Sequence, residues 1–472
     1  MITFLTAVLL LILGYVVYGR IVERHFGADA SRAVPSKTMA DGVDYMEMPT
    51  WKAYMIQFLN IAGLGPIFGA IMGAKFGTAS YLWIVFGTIF GGGVHDYLTG
   101  MVSLRHGGES LPELVGHYLG GVVKQIFTLF TLLLMILVCS VFVSQPAALL
   151  ANLTPASLNV NFWMIVIFAY YLIATLFPIG KIIGRLYPIL GAALLFMAIG
   201  IFVSLIVTRP ELPEMWNGFG TRYETAPLFP VMFISIACGA VSGFHATQSP
   251  MMARCIRSEK NGRLVFYGSM VSEGIVALIW AAAATAYFGK HGTAETAADI
   301  TMNISREMLG GFGGIIAILG VVAAPITSGD TALRSARLIV ADSFKFSQKE
   351  IHHRLMITVP LFAVTLGFLF FSLSDSDGFS IIWRYFSWCN QVLSVFTFWA
   401  LTVYLAKHRK NFLMTLIPAL FMTFVTVSYI LVTPEGFKMP GKFAYPLTAL
   451  IAIDMLILFW RWHWYFFKKH PK

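Results

Sequence analysis

Four ionisable side chains stand where the chain is otherwise apolar: His95, Asp96, His245 and Glu273 all fall inside long hydrophobic runs. A charged, unpaired acid at such a place costs about 2.5–3.5 kcal/mol, so these residues are expected to face a cavity or a partner. Glu273 is central in its run. It is a proton-coupling candidate, or else a hydrogen-bonded acid bracing its neighbours. His245 is followed closely by Thr247, Gln248 and Ser249. Its imidazole can bind a carboxylate or carry a proton, although a bond to a single carbonyl would also satisfy it. Asp96 lies toward the end of its run, where a salt bridge to a basic loop residue is expected. Asp330 and Arg334, four apart, read as a structural pair.

Two glycine-rich interruptions must position these groups. In Gln57 to Gly77, QFLNIAGLGPIFGAIMGAKFG, Gly63, Gly65 and Pro66 sit near the middle of an apolar run. Pro66 lacks an N–H, and a helix broken there exposes backbone groups that lipid cannot satisfy. Pro66 suits the start of a half-helix whose next amides, at Ile67, Phe68 and Gly69, would point at an anion. A second reading competes: Gly65, Gly69, Gly73 and Gly77 recur every four residues, the pattern of closely packed membrane helices. The other interruption, at Gly239, Ser242 and Gly243, leads directly into His245. The amides after Gly65 and Gly243 are anion-site candidates, with Asn60, Ser242, His245 and Gln248 as side-chain contacts.

Of 472 residues, 57% are hydrophobic and 12% charged. The apolar residues fall into about 13 runs of roughly 20 residues, the length needed to span a bilayer. The fold class is therefore an all-α polytopic membrane protein. Basic residues follow the first run instead of preceding it, the reverse of a secretory signal. That places the N-terminus outside and the C-terminus inside. Most of the 33 lysines and arginines then fall on the inner face, among them Arg20 to Lys52, Lys181, Arg254 to Arg263 and Arg334 to Arg354. The net charge of +10 belongs to that surface, facing anionic lipid, and not to a nucleic-acid site. Cys139, Cys238, Cys255 and Cys389 show no metal-ligand spacing and read as buried, reduced thiols. Ser110 and Glu113 form a capping-box pattern opening a short surface helix.

The interrupted runs each open a group of five, residues 53–207 and 228–405. Residues 1–52 precede them as an extra helix and inner loop, and 406–472 add two helices. Five is odd, so the second group runs through the membrane inverted relative to the first. Inverted repeats with broken leading helices point to a midplane substrate site.

The stretches GLGPIFGAIMG (63–73), GTIFGGGVHDYLTGMVSLRHGGESLPEL (87–114), IACGAVSGFHATQSPMMAR (236–254) and APITSGDTALRSARLIVAD (324–342) resemble the carbon starvation (CstA) family of membrane transporters. The resemblance implies uptake of small carbon sources, pyruvate or peptides, across the cytoplasmic membrane in a starvation response. It also implies the five-plus-five, LeuT-like fold, in which hydroxyls at the places of Thr327 and Ser328 help hold sodium with carbonyls freed by the first break. His95 stands where the family commonly has Gln, Leu64 where it has Asn, and the chain is short at its C-terminal end.

The expected function is secondary active transport of a small carboxylate or peptide, coupled to H⁺ or Na⁺. Asp96, Glu273, Thr327 and Ser328 are the ion-coupling candidates. Asn60, Gly63, Gly65, Pro66, Ile67, Ser242, Gly243, His245 and Gln248 are the substrate-binding candidates. No cofactor, resident metal or nucleic acid is expected. No Walker motif offers ATP as the energy source, and no HExxH or GxSxG supports an intramembrane enzyme, the alternative alongside a channel.

Overall fold

A computed structural model describes residues 1–176, 183–222, 227–348, 350–374 and 378–470; Lys181 and loop residues 223–226 lie outside these. Among the described residues the structure is helical, with no strand. Nine helices among the described residues are long and apolar enough to cross a membrane, or ten if a bent pair counts as one span. The first, α1 (Ile2–Phe26), is followed by the bent pair α2 (Thr50–Ile61) and α3 (Gly65–Ala74), whose axes differ by 56°. Next come α4 (residues 79–105), the short α5 (Leu111–Leu119) and α6 (Gly121–Ala151). Then α7 (Val160–Leu176) and α8 (Ile183–Thr208) lead to the second interrupted pair, α9 (Leu228–Ser235) and α10 (Gly243–Ala253). The chain continues through α11 (Glu259–His291), α12 (Ala297–Phe344), α13 (Ile351–Ser374), α14 (Gly378–Lys407), α15 (Leu413–Val432) and α16 (Gly441–Lys469).

Both interruptions fall where the glycines place them. Residues 62–64 leave the helix before Pro66, and residues 236–242 separate α9 from α10, with Gly239 at φ +91°. A side chain at +91° is strained, so glycine is the residue that lets this turn form.

The breaks lie against each other, and glycine makes the contact possible. A Cβ on Gly65 would sit 2.2 Å from the Cβ of Cys238. One on Gly69 would be 2.8 Å from the Ser235 carbonyl oxygen, and one on Gly73 2.3 Å from Ile236. The every-fourth-residue glycines are therefore a packing face, and the helix they line is also the broken one. The packing reading of this stretch holds, and so does the break.

Around this contact α10 packs on α4, α2 and α14, while α11 packs on α2 and α3. The long α12 lies against α6, α8 and α2. All four cysteines are free and buried. The helix α5 forms, but its capping box does not: Ser110 makes no side-chain cap bond, and Lys124 Nζ claims Glu113 at 2.6 Å. A nearby ammonium outcompetes a backbone amide for that carboxylate.

Replacing Gly65 by Ala should lower the unfolding midpoint of the detergent-purified protein by several degrees, since overpacking costs about 1–3 kcal/mol. Gly121→Ala, where a Cβ meets nothing within 4 Å and the backbone is helical, is the control without a close contact. Equal, small shifts for both variants would contradict the close contact.

Candidate functional site

Asp96 on α4 sits between two imidazoles. His95 Nδ1 approaches its Oδ1 at 2.8 Å, and His245 Nδ1 of α10 approaches its Oδ2 at 3.0 Å. On the other side of the ring, His245 Nε2 faces Glu273 Oε2 of α11 at 3.4 Å. All four residues are fully buried. The order His95, Asp96, His245, Glu273 is thus a continuous line of titratable groups joining three helices.

Asp96 does not pair with a basic loop residue as expected. The wide turn Gly87–Gly92 precedes it and changes the face that the next turn presents. Gly91 and Gly92 let that face approach the second break, within 2.5 Å of Val241 and 2.3 Å of the Ala240 oxygen for a built Cβ. Asp96 therefore points inward at His245.

Cys238, His245 and Glu273 place a thiol, an imidazole and a carboxylate within 4.8 Å of one another. Such a trio could hold a metal ion: the Cys238 thiol has other contacts, while His245 Nε2 and both Glu273 oxygens have no hydrogen-bond partner among the described residues. The Cys238 sulfur contacts Ser242 Oγ at 3.6 Å and Asn390 Nδ2 at 3.7 Å, and Asp96 orients the ring of His245.

The break amides are engaged within the protein. The amides of Ile67 and Phe68, expected to face an anion, return to the Leu64 carbonyl at 3.1 and 2.7 Å. A tight turn at Leu64 supplies its own acceptor before any ligand does. At the second break, Asn390 Oδ1 of α14 accepts from Phe244 N at 2.7 Å and from Ser242 Oγ at 3.1 Å. This amide caps α10 from a neighbouring helix, taking the first donor after Gly243. Gln391 Nε2 donates to the Val241 carbonyl at 2.9 Å, Trp83 Nε1 to Ile236 at 3.1 Å and Thr88 Oγ1 to Gly239 at 2.8 Å. Gly243 itself lies against the backbone of α14, with a built Cβ 2.4 Å from the Asn390 carbonyl oxygen.

The first break gathers hydroxyls. Ser328 Oγ of α12 donates to the Leu59 carbonyl at 2.9 Å, and Thr327 Oγ1 reaches the same oxygen at 3.3 Å. Gly63 faces Ser328. Nearby on α2, the side-chain amides of Gln57 and Asn60 are fully buried and lack hydrogen-bond partners among the described residues. So do Gln248 Oε1 and both Glu273 oxygens. Each unsatisfied buried group costs about 1–3 kcal/mol, so these atoms suit a polar ligand better than lipid or apolar packing. Asp330 accepts from Tyr170 Oη at 2.8 Å, and Arg334 faces Asp44.

Similarity to known proteins fits this arrangement. Residues 1–160, 148–305 and 283–429 match the family described as Carbon starvation protein CstA. The chain belongs to the CstA family. An uncharacterised membrane protein of Haemophilus influenzae is 40% identical over 61% of this chain and 91% of its own length. Relatives with functional names include the "Pyruvate/proton symporter BtsT" of Escherichia coli, 28% identical, and the "Peptide transporter CstA" of Helicobacter pylori, 29% identical. The chain covers 61% and 57% of itself in these matches and about half of each relative, 50% and 48%. The "Peptide transporter CstA" of Bacillus subtilis is 26% identical over 95% of this chain and 93% of its own. Among solved structures, the nucleobase-cation-symport-1 family transporter Mhp1 superposes with a TM-score of 0.58 at 14% identity, covering 88% of this chain and 92% of its own. The corresponding values for MhsT in complex with L-phenylalanine are 0.54, 15%, 85% and 98%. These neighbours are LeuT-fold transporters, so this CstA chain shares their fold.

Three further residues at the breaks of this CstA chain carry a signal in the sequence. Asn390 and Gln391 are adjacent amides within an apolar run, and Gln57 opens the first broken stretch. Asn390→Ala leaves Phe244 N without its acceptor and should cost about 1–3 kcal/mol. Thermal unfolding in detergent reads this loss; an unchanged midpoint would show that the α10 cap lies elsewhere.

Proposed function

We propose that this chain is a secondary active transporter importing a small carboxylate, pyruvate-like, or a short peptide across the cytoplasmic membrane, driven by H⁺. The observation that carries this reading is the buried line His95, Asp96, His245, Glu273 beside two touching helix breaks. His245 is the hinge of the proposal. Asp96 holds one ring nitrogen, while the other faces Glu273, so a proton gained by Glu273 changes what His245 can offer a carboxylate. The titratable groups facing His245 are Asp96, Glu273 and Cys238. Asn60 and Gln248, with Gln57 added, supply amides for the rest of the ligand, beside the backbone at Gly63, Gly65, Pro66 and Gly243.

The proposed frame has thirteen spans, with the N-terminus outside and the C-terminus inside. Residues 53–207 and 228–405 form inverted five-helix groups, flanked by 1–52 and 406–472. The distribution of lysine and arginine supports this orientation. Transport proceeds by alternating access, one bundle rocking against the other around the breaks.

Sodium is the second reading, favoured by one observation. Thr327, Ser328 and the Leu59 carbonyl bring three oxygens together at the first break, the kind of donors a hard cation takes.

Proteoliposomes supplied with labelled pyruvate or a labelled dipeptide, under imposed H⁺ or Na⁺ gradients, separate these possibilities. Saturable uptake driven by an inward H⁺ gradient is expected, and gradient-independent flux would indicate a pore. His245→Ala should lower uptake by at least about ten-fold, equivalent to about 1.4 kcal/mol of lost interaction. Normal uptake by that variant would remove His245 from the site. Glu273→Gln should retain exchange of substrate yet lose its response to the H⁺ gradient; an unaltered response would end its coupling role. Loss of Na⁺ dependence in Ser328→Ala would instead support the second reading.

A further inference from the structure

The second break brings a thiol to the line of titratable groups. Cys238 lies within the break, His245 falls in the first turn of α10, and Glu273 belongs to α11. No sequence spacing announces this trio, because a non-helical turn and a separate helix bring it together. The thiol sulfur, a ring nitrogen and a carboxylate oxygen stand within 4.8 Å of one another, and all three residues are buried.

Hydrogen bonding leaves these atoms open. The Gly239 amide and the His245 ring both face Glu273, yet neither carboxylate oxygen has a hydrogen-bond partner among the described residues. Nor does His245 Nε2. That nitrogen stands 3.4 Å from Glu273 Oε2, long for a charge-assisted hydrogen bond, which closes to about 2.7–2.9 Å. The distance matches a different geometry: donor atoms about 2.0–2.3 Å from a tetrahedral ion lie roughly 3.3–3.8 Å from one another. Ser242 Oγ lies 3.6 Å from the Cys238 sulfur, and Asn390 Nδ2 donates to it at 3.7 Å. Both contacts leave lone pairs on the sulfur for a metal.

The outer contacts are those of a metal-bound imidazole. A ligating histidine turns its other ring nitrogen to a carboxylate, which fixes the tautomer and the plane of the ring. His245 Nδ1 stands 3.0 Å from Asp96 Oδ2, and Asp96 is held in turn by His95 Nδ1 at 2.8 Å. Nε2 is thereby the nitrogen aimed at Glu273. Charge agrees with this geometry. A thiolate, a carboxylate and a neutral imidazole carry two negative charges, which a divalent ion cancels, and buried charges persist where they are paired or coordinate a metal. Sulfur selects against magnesium and calcium, whereas one sulfur, one nitrogen and one oxygen ligand suit zinc or cobalt(II).

We infer that Cys238, His245 and Glu273 form a binding site for a zinc-class divalent ion, with Asp96 as the carboxylate that orients its histidine. Binding releases the thiol proton to water, and three protein ligands leave a fourth position that water fills. The ion ties the second break to α11. Its chemistry needs no transport. One consequence rests on the transporter reading: the ion takes the ring nitrogen assigned there to the substrate carboxylate, so ion and substrate exclude each other.

Expression in medium with cobalt(II) in place of zinc lets the ion enter as the chain folds, and cobalt reports its own ligands. The chain, purified into lipid nanodiscs and stripped of loosely held ions by gel filtration, should show sulfur-to-cobalt charge transfer in the near ultraviolet. The strong visible bands of a tetrahedral ion should accompany it. Glu350, His352 and His353 form the other such cluster among the described residues, and it has no thiol, so the sulfur band separates the two. Cys238→Ser should lose that band, and Cys139→Ser should keep it. Asp96→Asn should keep the band yet surrender the ion to a competing chelator about ten-fold more readily, the lower end of the cost of losing a group that orients a ligand. Cobalt bound without the sulfur band would overturn the site, as would a band that survives in Cys238→Ser. If Cys238→Ser does not fold, Glu273→Gln decides: an unaltered spectrum would overturn the site. Equal retention in Asp96→Asn would remove Asp96 from its orienting role. Chains holding cobalt should lose the pyruvate uptake that ion-free chains show; equal uptake would overturn the exclusion. A chain that shows the band but carries nothing in either state keeps this site and loses the transporter reading. Coupled uptake by a chain without the band does the opposite.

Discussion

A helix that stops inside an apolar layer must find partners for the backbone groups it releases, and this requirement governs the rest of the structure. No lipid can serve. The second break is accordingly closed by side chains from other helices: Trp83 and Thr88 from α4, Asn390 and Gln391 from α14. The first is closed by Ser328 and Thr327 from α12 and by its own turn at Leu64. A similar repair appears where Pro146 removes a donor within α6. Tyr171 Oη then donates to Phe142, four residues earlier, at 2.8 Å. Each repair ties one helix to another, so the breaks organise the bundle instead of weakening it.

Glycine sets how close these helices come, and closeness sets which charged groups meet. With Gly91 and Gly92 against residues 240–241, Asp96 reaches His245; with Gly65 against Cys238, the two breaks share one centre. Buried ionisable groups persist when each has a partner. Here Asp96 meets both histidines, and Glu273 faces His245. A single imidazole thus stands between two carboxylates on different helices.

Much of this was legible in the sequence, for physical reasons that differ from residue to residue. Gly63, Gly65 and Pro66 announce a break because backbone freedom and a missing N–H are local properties. The acids and histidines announce burial because their cost in an apolar run is large wherever they point. Their partners were not legible. Asp96 was read toward a basic loop, since nothing local tells which way a side chain turns after a wide helical turn. The anion role given to the amides of Ile67 and Phe244 fails for a similar reason: their acceptors, Leu64 and Asn390, depend on turn geometry and on a residue nearly 150 positions away. The pairing of Asp44 with Arg334 and Arg337 is hidden in the same manner, because a loop and a distant helix meet only in the fold. The glycine repeat announces close packing because a missing Cβ is a local property too.

The account depends most on Asp96 and His245 sharing a proton position. Nitrogen-15 spectra of histidine-labelled protein in lipid, with the His245 signals identified by their loss in His245→Ala, test this directly. A protonated Nδ1 whose resonance moves in Asp96→Asn is the predicted result. An unprotonated Nδ1, or one indifferent to Asp96→Asn, would contradict it.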